Sequence, residues 1–461
     1  MATDIGDWVD SISLEGVLQL LSDSGCVTGI AKVLGRNNNS KQQLYLAPDL
    51  ANLSMIPIGE IEEFETSSRK PAKNRIRYRT GIDWYWVSPS GMYHAPETKL
   101  IYYPQYPEVR LSGFLSGADV APRHLMDYHG RGKEPGRVLF MGFTPEENVI
   151  SVVVGADSPA AKEFMSKADE DPDKLLIPLN LTDSSAPTVV DTKRELLRIL
   201  EQVFRKGPIA SKQLTAAGVE VECRGPRCSG HTLEAEFGIV PNGVPGPDFL
   251  DWELKTLQGT TPSKAVTLFT PQPDTGMFLE EGLASFVLKH GILTPDGNRV
   301  NLTGRHFLGS KKVMPSGLNL QLIGYQQGSK LKDDVIERGG VLALVDAKTQ
   351  EVAAGWSFEK LLKLWHDKHG KVAYVPNIRR TCPKSGQPSF AYGPYVDLAE
   401  GTSFKLLLRA ISAGAVYYDP GNKLERTDSK ARWVPKYRNQ IRIGYGKLGL
   451  LYDQMERHVL V

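Results

Sequence analysis

The run Gly246-Pro247-Asp248-Phe249-Leu250-Asp251-Trp252-Glu253-Leu254-Lys255 constrains this chain more than any other stretch. Side chains alternate between the two faces of an extended strand. Glu253 and Lys255 therefore point the same way, and Leu254 points to the opposite face. Gly246 and Pro247 let the chain bend, so that Asp248 approaches from the preceding turn or strand. The spacing predicts two carboxylates converging beside an ammonium. Such a set suits metal-assisted hydrolysis of a phosphodiester. The carboxylates offer hard oxygen ligands to a divalent cation such as Mg²⁺, the cation activates water and neutralises charge on the phosphate, and the lysine orients the water or stabilises anionic oxygens. A surface strand with a solvated Glu and Lys would carry the same spacing, so context has to separate the two readings.

Upstream, residues 230–239 read as a short amphipathic helix. Downstream, residues 264–270 read as a β-branched and aromatic strand. Thr232-Leu233-Glu234, then Asn242 and Pro247-Asp248, then Glu253-Leu254-Lys255 follow one another in an order that resembles the MvaI/BcnI restriction endonuclease family, whose core is of the PD-(D/E)xK type. The resemblance implies an α/β nuclease domain in which Asp248 and Glu253 hold Mg²⁺ and Lys255 positions or activates the attacking water. In-line attack would leave 5′-phosphate and 3′-hydroxyl ends. Glu234 either contributes through a water or is a helix-capping or surface residue.

The chain has 461 residues, enough for two or three domains. No apolar run approaches the length of a membrane span, and the acidic start Met-Ala-Thr-Asp-Ile-Gly-Asp-Trp lacks signal-peptide character, so a cytoplasmic location is expected. The net charge of +2 means that any nucleic-acid surface must be local. Of the four cysteines, Cys26, Cys223, Cys228 and Cys382, only Cys223 and Cys228 lie close together. With His231 they could form half a zinc site, but the second pair of ligands is missing, and ordinary reduced thiols are expected of a cytosolic chain.

An N-terminal helix should bury Leu14, Val17, Leu18 and Leu21. Two short strands then flank a polar loop, from Lys32 through Arg36, Asn37 and Lys41 to Gln43. Amides and guanidinium forks of this kind read base edges in a major groove; a solvated loop has the same composition. Between Ser67 and Thr80 the chain is basic. Arg75, Arg77 and Arg79 alternate with Ile76 and Tyr78, so three cations can line one strand face, as a phosphate-tracking surface or a solvated edge strand. Strands around residues 84–87, 100–103, 106–114, 138–143 and 149–154 indicate a small β-barrel. This half resembles the N-terminal effector domain of the EcoRII restriction endonuclease, a pseudobarrel that grips DNA with two arms. Residues 32–43 match the first arm. Glu108 and Arg110, followed by Ser112-Gly113, match the second.

The polar, Pro-containing passage before residue 190 is the expected boundary. It gives an effector-like domain at 1–180, a linker at 181–190 and a nuclease domain at 191–461. Thr192 should N-cap the next helix with Glu195 at capping-box spacing, and a second short helix is expected at 211–217. Further on, a helix is predicted at 278–290, strands at 303–312, 318–323 and 340–346, and a helix at 358–369. His366 and His369 are read as exposed residues near the end of that last helix. Residues 412–418 read as an apolar strand. The C-terminal portion is basic, with Lys423, Arg426, Lys430, Arg432, Lys436, Arg438 and Arg442 interleaved with Trp433, Tyr437 and Tyr445, which suits either a DNA cleft or a solvated face. In the family the region after a "DP" turn reads bases, which nominates Asp419, Arg438 and Arg442; the family's usual His in this region has no counterpart here. Residues 448–452 match the family's closing segment.

The expectation is therefore an α+β multidomain chain, with an N-terminal β-pseudobarrel DNA-binding domain and a C-terminal PD-(D/E)xK α/β nuclease domain. The resemblance implies a monomeric, Mg²⁺-dependent type II enzyme acting on double-stranded DNA. Its target would be CCWGG, and the effector domain would bind a second copy of the site. The rivals are a DNA-binding regulator with an inactive nuclease fold and a repair or nicking nuclease without sequence specificity.

Overall fold

The computed structural model describes residues 3–36, 42–64, 76–127, 130–167, 176–181, 188–241, 246–259, 264–310, 314–381, 386–427 and 430–461. Asn37, Lys41, Arg75, Asn242 and Cys382 lie outside these. Among the described residues no helix is long and apolar enough to cross a membrane.

The expected barrel takes the form of two sheets, with no ladder joining them among the described residues. The larger orders its strands as Thr188–Val189, Ile177–Asn180, Thr28–Leu34, Arg137–Phe143, Val149–Val154, Trp84–Ser88 and Gly91–His94. The smaller runs Leu44–Ala47, Glu108–Ser112, Lys99–Tyr103, Arg77–Gly81 and Ile61–Phe64. Arg137–Phe143 is buried throughout because both of its faces are covered. Leu139 and Met141 join Tyr78, Tyr102 and Val109 of the smaller sheet in one apolar core. Val138 and Phe140 meet helices Leu14–Asp23 and Pro159–Lys167 on the other side. The first helix carries its four apolar residues inward as its periodicity predicts, and Ser13 caps it by accepting from Gly16 N–H at 3.1 Å.

In the C-terminal half the motif strand Glu253–Gln258 pairs in parallel with Lys371–Thr381, Lys255 opposite Tyr374. The latter strand also pairs antiparallel with Pro388–Tyr392 and Tyr395–Glu400. Helix Thr192–Arg205 packs on one face of this sheet, through Leu196, Leu200 and Val203 against Leu254, Val375 and Leu398. Helix Phe358–His369 covers the other face, through Leu361, Leu362 and Trp365 with Val372 and Tyr374. A second sheet joins Ala265–Phe269, Ile441–Gly444 and Val416–Tyr418. The largest apolar core is continuous across the two halves: it runs from Ile5 and Leu53 to Phe404 and Tyr452.

Several local expectations are corrected. Asp191, not Thr192, caps the helix, accepting from Arg194 N–H at 3.1 Å. Thr192 turns inward and accepts the Trp252 indole N–H at 3.3 Å, while Glu195 is paired with Arg198. Residues 211–217 form no helix. Lys212–Leu214 pairs with Glu220–Glu222 in a hairpin whose turn needs the left-handed Gly218, with φ 73°. The strand expected at 303–312 ends at Thr303. The strand expected at 412–418 covers only Val416–Tyr418, because helix Phe404–Ser412 ends inside it and its C-terminal turn, through the left-handed Gly414, takes up residues 413–415.

Candidate functional site

The carboxylates are brought together by a turn placed later than the sequence suggested. Phe249 and Trp252 exchange both backbone hydrogen bonds, at 2.9 and 2.8 Å, so the chain reverses at Leu250-Asp251. Leu250 takes the left-handed conformation, φ 53°, uncommon for a branched side chain. This two-residue reversal sets Asp248 across from Glu253, which gives the four-residue gap in the motif its physical meaning. Asp248 Oδ2 then accepts the Leu254 N–H at 2.9 Å. Asp251, at the turn, faces away and pairs with Lys371 at 2.8 Å.

Along the strand the predicted alternation holds. Leu254 enters the core beneath helix Thr192–Arg205. Lys255 Nζ donates to Glu253 Oε1 at 3.1 Å on the opposite face, under helix Phe358–His369. Burial raises the Glu253 carboxyl above its ordinary pKa; Lys255 and Lys368 oppose that rise and Asp248 adds to it. Sequence reasoning missed Lys368, in the last turn of that helix. Its ammonium donates to Gly246 O at 2.9 Å and to Glu253 Oε2 at 3.2 Å, and lies 3.9 Å from Asp248 Oδ1. Burial disfavours the Lys368 charge, but Glu253 and Asp248 outweigh it and its pKa rises.

His366 and His369 are buried, which overturns their reading as exposed residues. His366 is hydrogen-bonded to Asp367 at 2.8 Å and to Leu53 O at 3.0 Å. His369 stacks on Trp365 and meets the Tyr452 hydroxyl at 2.9 Å, which in turn meets that of Tyr374 at 3.0 Å. Burial, with Lys255 adding to it, pulls the His369 pKa well down, so the ring is neutral. This hydrogen-bonded row reaches Lys255 from two sides: Tyr374 pairs opposite it in the sheet, and His369 feels its charge. Glu234 is bonded to His231 at 3.1 Å. Its helix, Cys228–Glu236, meets the strand through Ser229 and Thr256, on the face away from Glu253 and Lys255.

A cavity of about 610 Å³ runs from Lys255 along the motif strand to Lys264, Arg305 and Arg442. Arg442 donates to Asp419 at 2.8 Å and to Ala265 O at 3.2 Å. Arg438 is exposed beside Gly421 of the Asp419-Pro420 turn. Arg305, over the Tyr417 ring at 5.8 Å, had no signal in the sequence. The basic C-terminal face is partly neutralised: Arg299, Lys423 and Lys436 all pair with Glu425, and the hydrogen bonds from Lys423 and Lys436 hold its carboxyl down at about 2.

In the N-terminal half, Gln43, Arg77, Glu108 and Arg110 line one concave site of about 560 Å³, with Tyr103 at its base. Arg110 donates to Gln43 Oε1 at 3.2 Å and pairs with Glu108 at 2.8 Å. Arg77 and Arg110 both lie over the Tyr103 ring, at 5.0 and 5.3 Å. Arg79 shares the Arg77 face but is engaged by Glu62 at 3.0 Å. Arg36 is exposed two residues beyond the end of strand Thr28–Leu34. Lys32 is buried, 5.9 Å from the Tyr45 ring, and burial lowers its pKa to about 8.

Cys223 and Cys228 are joined in a disulfide with Cα atoms 5.6 Å apart, correcting the expectation of free thiols. The bridge ties the edge of the hairpin to the start of helix Cys228–Glu236; an expectation argued from compartment alone took no account of this local approach. Cys26 is free and buried.

Among solved structures, the chain is similar to the restriction endonuclease MvaI in complex with its cognate DNA, at 18% identity and a TM-score of 0.44, over 59% of this chain and 100% of the other. It is also similar to MvaI in the absence of DNA, at 16% identity and a TM-score of 0.33, over 59% and 99%. Comparison with curated proteins returned no match. The model of the MvaI/BcnI restriction endonuclease family matches residues 197–452, more than half of the chain and the whole of the site built around Asp248, Glu253 and Lys255, and the chain belongs to that family.

Proposed function

We propose that this protein is a Mg²⁺-dependent type II restriction endonuclease that cuts double-stranded DNA at a short specific site, CCWGG, and works as a monomer. Residues 191–461 form its PD-(D/E)xK nuclease domain. Residues 1–180 form a pseudobarrel effector domain that binds a second copy of the site, as in type IIE enzymes, and 181–190 link the two. The observation that carries the reading is the convergence of Asp248 and Glu253 across a tight turn, with Lys255 on the same strand face.

The oxygens fit a divalent cation. Asp248 Oδ1, Glu253 Oε2 and Gly246 O all surround one ammonium, that of Lys368, so the position attracts positive charge and offers only hard donors. A divalent cation held there supplies charge neutralisation at the scissile phosphate and a more acidic water. Asp248 and Glu253 are the residues that would hold it. Lys255, tethered to Glu253 Oε1 on the same strand face, would position or activate the attacking water. The cavity from Lys255 to Arg305 and Arg442 gives phosphates a cationic wall, and Asp419, Arg438 and Arg442 are the proposed base readers. In the effector domain, Lys32, Arg36, Asn37, Lys41, Gln43, Arg75, Arg77, Glu108 and Arg110 are the proposed DNA contacts. Four of them line one concavity whose aromatic base suits a groove-reading surface.

A plasmid cleavage assay tests both parts. Asp248→Ala or Lys255→Ala is expected to lower cleavage of a CCWGG plasmid by about a thousandfold or more while cognate duplex is still bound; retained cleavage would refute the assigned site. A cognate oligonucleotide added in trans should accelerate cutting of a one-site plasmid, and Arg110→Ala should remove that acceleration. Digestion of a phage genome to discrete fragments excludes an unspecific nuclease.

A further inference from the structure

Lys368 has no place in the motif. It reaches the carboxylates from 115 residues further along the chain. Its ammonium takes one oxygen of Glu253, approaches Asp248 and donates to the Gly246 carbonyl. Lys255 takes the second Glu253 oxygen. Two carboxylates and a backbone carbonyl are the donors a hard divalent cation uses, and here a lysine holds all three. The helix that carries it is fixed. His366 is hydrogen-bonded to Leu53 O and Lys363 donates to Ile58 O at 3.2 Å, both in the N-terminal half. The long side chain is about one-third exposed, at 32%, so solvent already reaches part of it.

We propose that Lys368 is a built-in competitor of the divalent cation: its ammonium fills the Asp248–Glu253–Gly246 oxygen set when no metal is bound and must rotate away for metal to enter. This rests on the reading of Asp248 and Glu253 as the metal-holding pair. Apparent metal affinity is then reduced by the fraction of time the position is vacant. A lysine in place nine-tenths of the time weakens binding about tenfold. A lysine that only braced the carboxylates would have the opposite effect, because its loss would let Asp248 and Glu253 part and leave the metal a less well-oriented pair of ligands. The sign separates the two.

The test is a titration of the full-length protein with Mn²⁺, without DNA, reading free Mn²⁺ by electron paramagnetic resonance and thermal stability in parallel. Lys368→Met and Lys368→Gln are expected to bind Mn²⁺ about tenfold more tightly than the unaltered protein. Lys368→Arg should stay near the original affinity. The metal-induced rise in Tm should be larger in the Met and Gln variants. Unchanged or weaker binding in both, with binding lost in Asp248→Asn, overturns the competition alone. Binding undiminished in Asp248→Asn overturns the metal reading of the pair and the competition with it.

Discussion

Lys32 illustrates how burial changes what a cation can do. At about 8, its pKa lies inside the working range of a DNA-binding protein. Below that value the side chain is charged and attracts phosphate; as pH rises through it the charge is lost. On the proposal that residues 1–180 bind DNA, their affinity for a cognate duplex is therefore expected to fall between pH 7 and pH 9 by about two- to fivefold, roughly one weak phosphate contact. Lys32→Arg, which stays charged, should flatten the profile in a fluorescence anisotropy titration; an unchanged slope would remove Lys32 from the contact set. The residues differ in how far their sequence betrayed them. Glu253 and Lys255 share a face because alternation in a strand leaves no other arrangement. The four-residue gap back to Asp248 did not reveal the reversal at Leu250, because a branched residue at positive φ is not a turn signal. Lys368 and Arg305 reach the site from distant segments, and no spacing rule links them to it. His366 and His369 misled because a basic last turn suits a helix dipole equally well when its residues are buried.

Helix Phe358–His369 matched its expected bounds because a Ser N-cap and a regular apolar stripe mark it in sequence. Helix Phe404–Ser412 did not stand out, although Ser403 caps it, because its apolar residues run on into the strand that follows. Its start is held from the other half of the chain. Asp49 Oδ2 accepts the Phe404 N–H at 3.1 Å and the Tyr102 hydroxyl at 2.6 Å, and Oδ1 accepts Ala51 N–H at 3.1 Å. Tyr102 is next to Tyr103, the base of the concave N-terminal site, on the other face of the same strand. Asp49→Ala leaves these buried donors unpaired and is expected to destabilise the protein by about 2–4 kcal/mol. Urea unfolding followed by tryptophan fluorescence measures it, and a loss below about 0.5 kcal/mol would mean that water replaces the carboxylate.

The two halves meet over a continuous apolar core and at points of close approach. A Cβ on Gly370 would lie 2.3 Å from Ser54 Oγ and 2.6 Å from Ala51 O, so the backbones touch where only glycine fits. Composition and strand counts could indicate two regions, but nothing local in the sequence indicates that they share a core, because such a seam is made of ordinary buried residues. A protease site engineered within residues 181–190 should therefore yield two fragments that co-elute in size-exclusion chromatography, since shared apolar burial does not depend on the covalent link; separation without denaturant would show that the seam is weak. The seam also bears on descent. Deleting the first half would strip Phe404 N–H and His366 of their partners and uncover the core, so a descendant that shed it would have to rebuild that face of the second half. Selection on one half is therefore felt by the other, because a change at the seam removes partners from both.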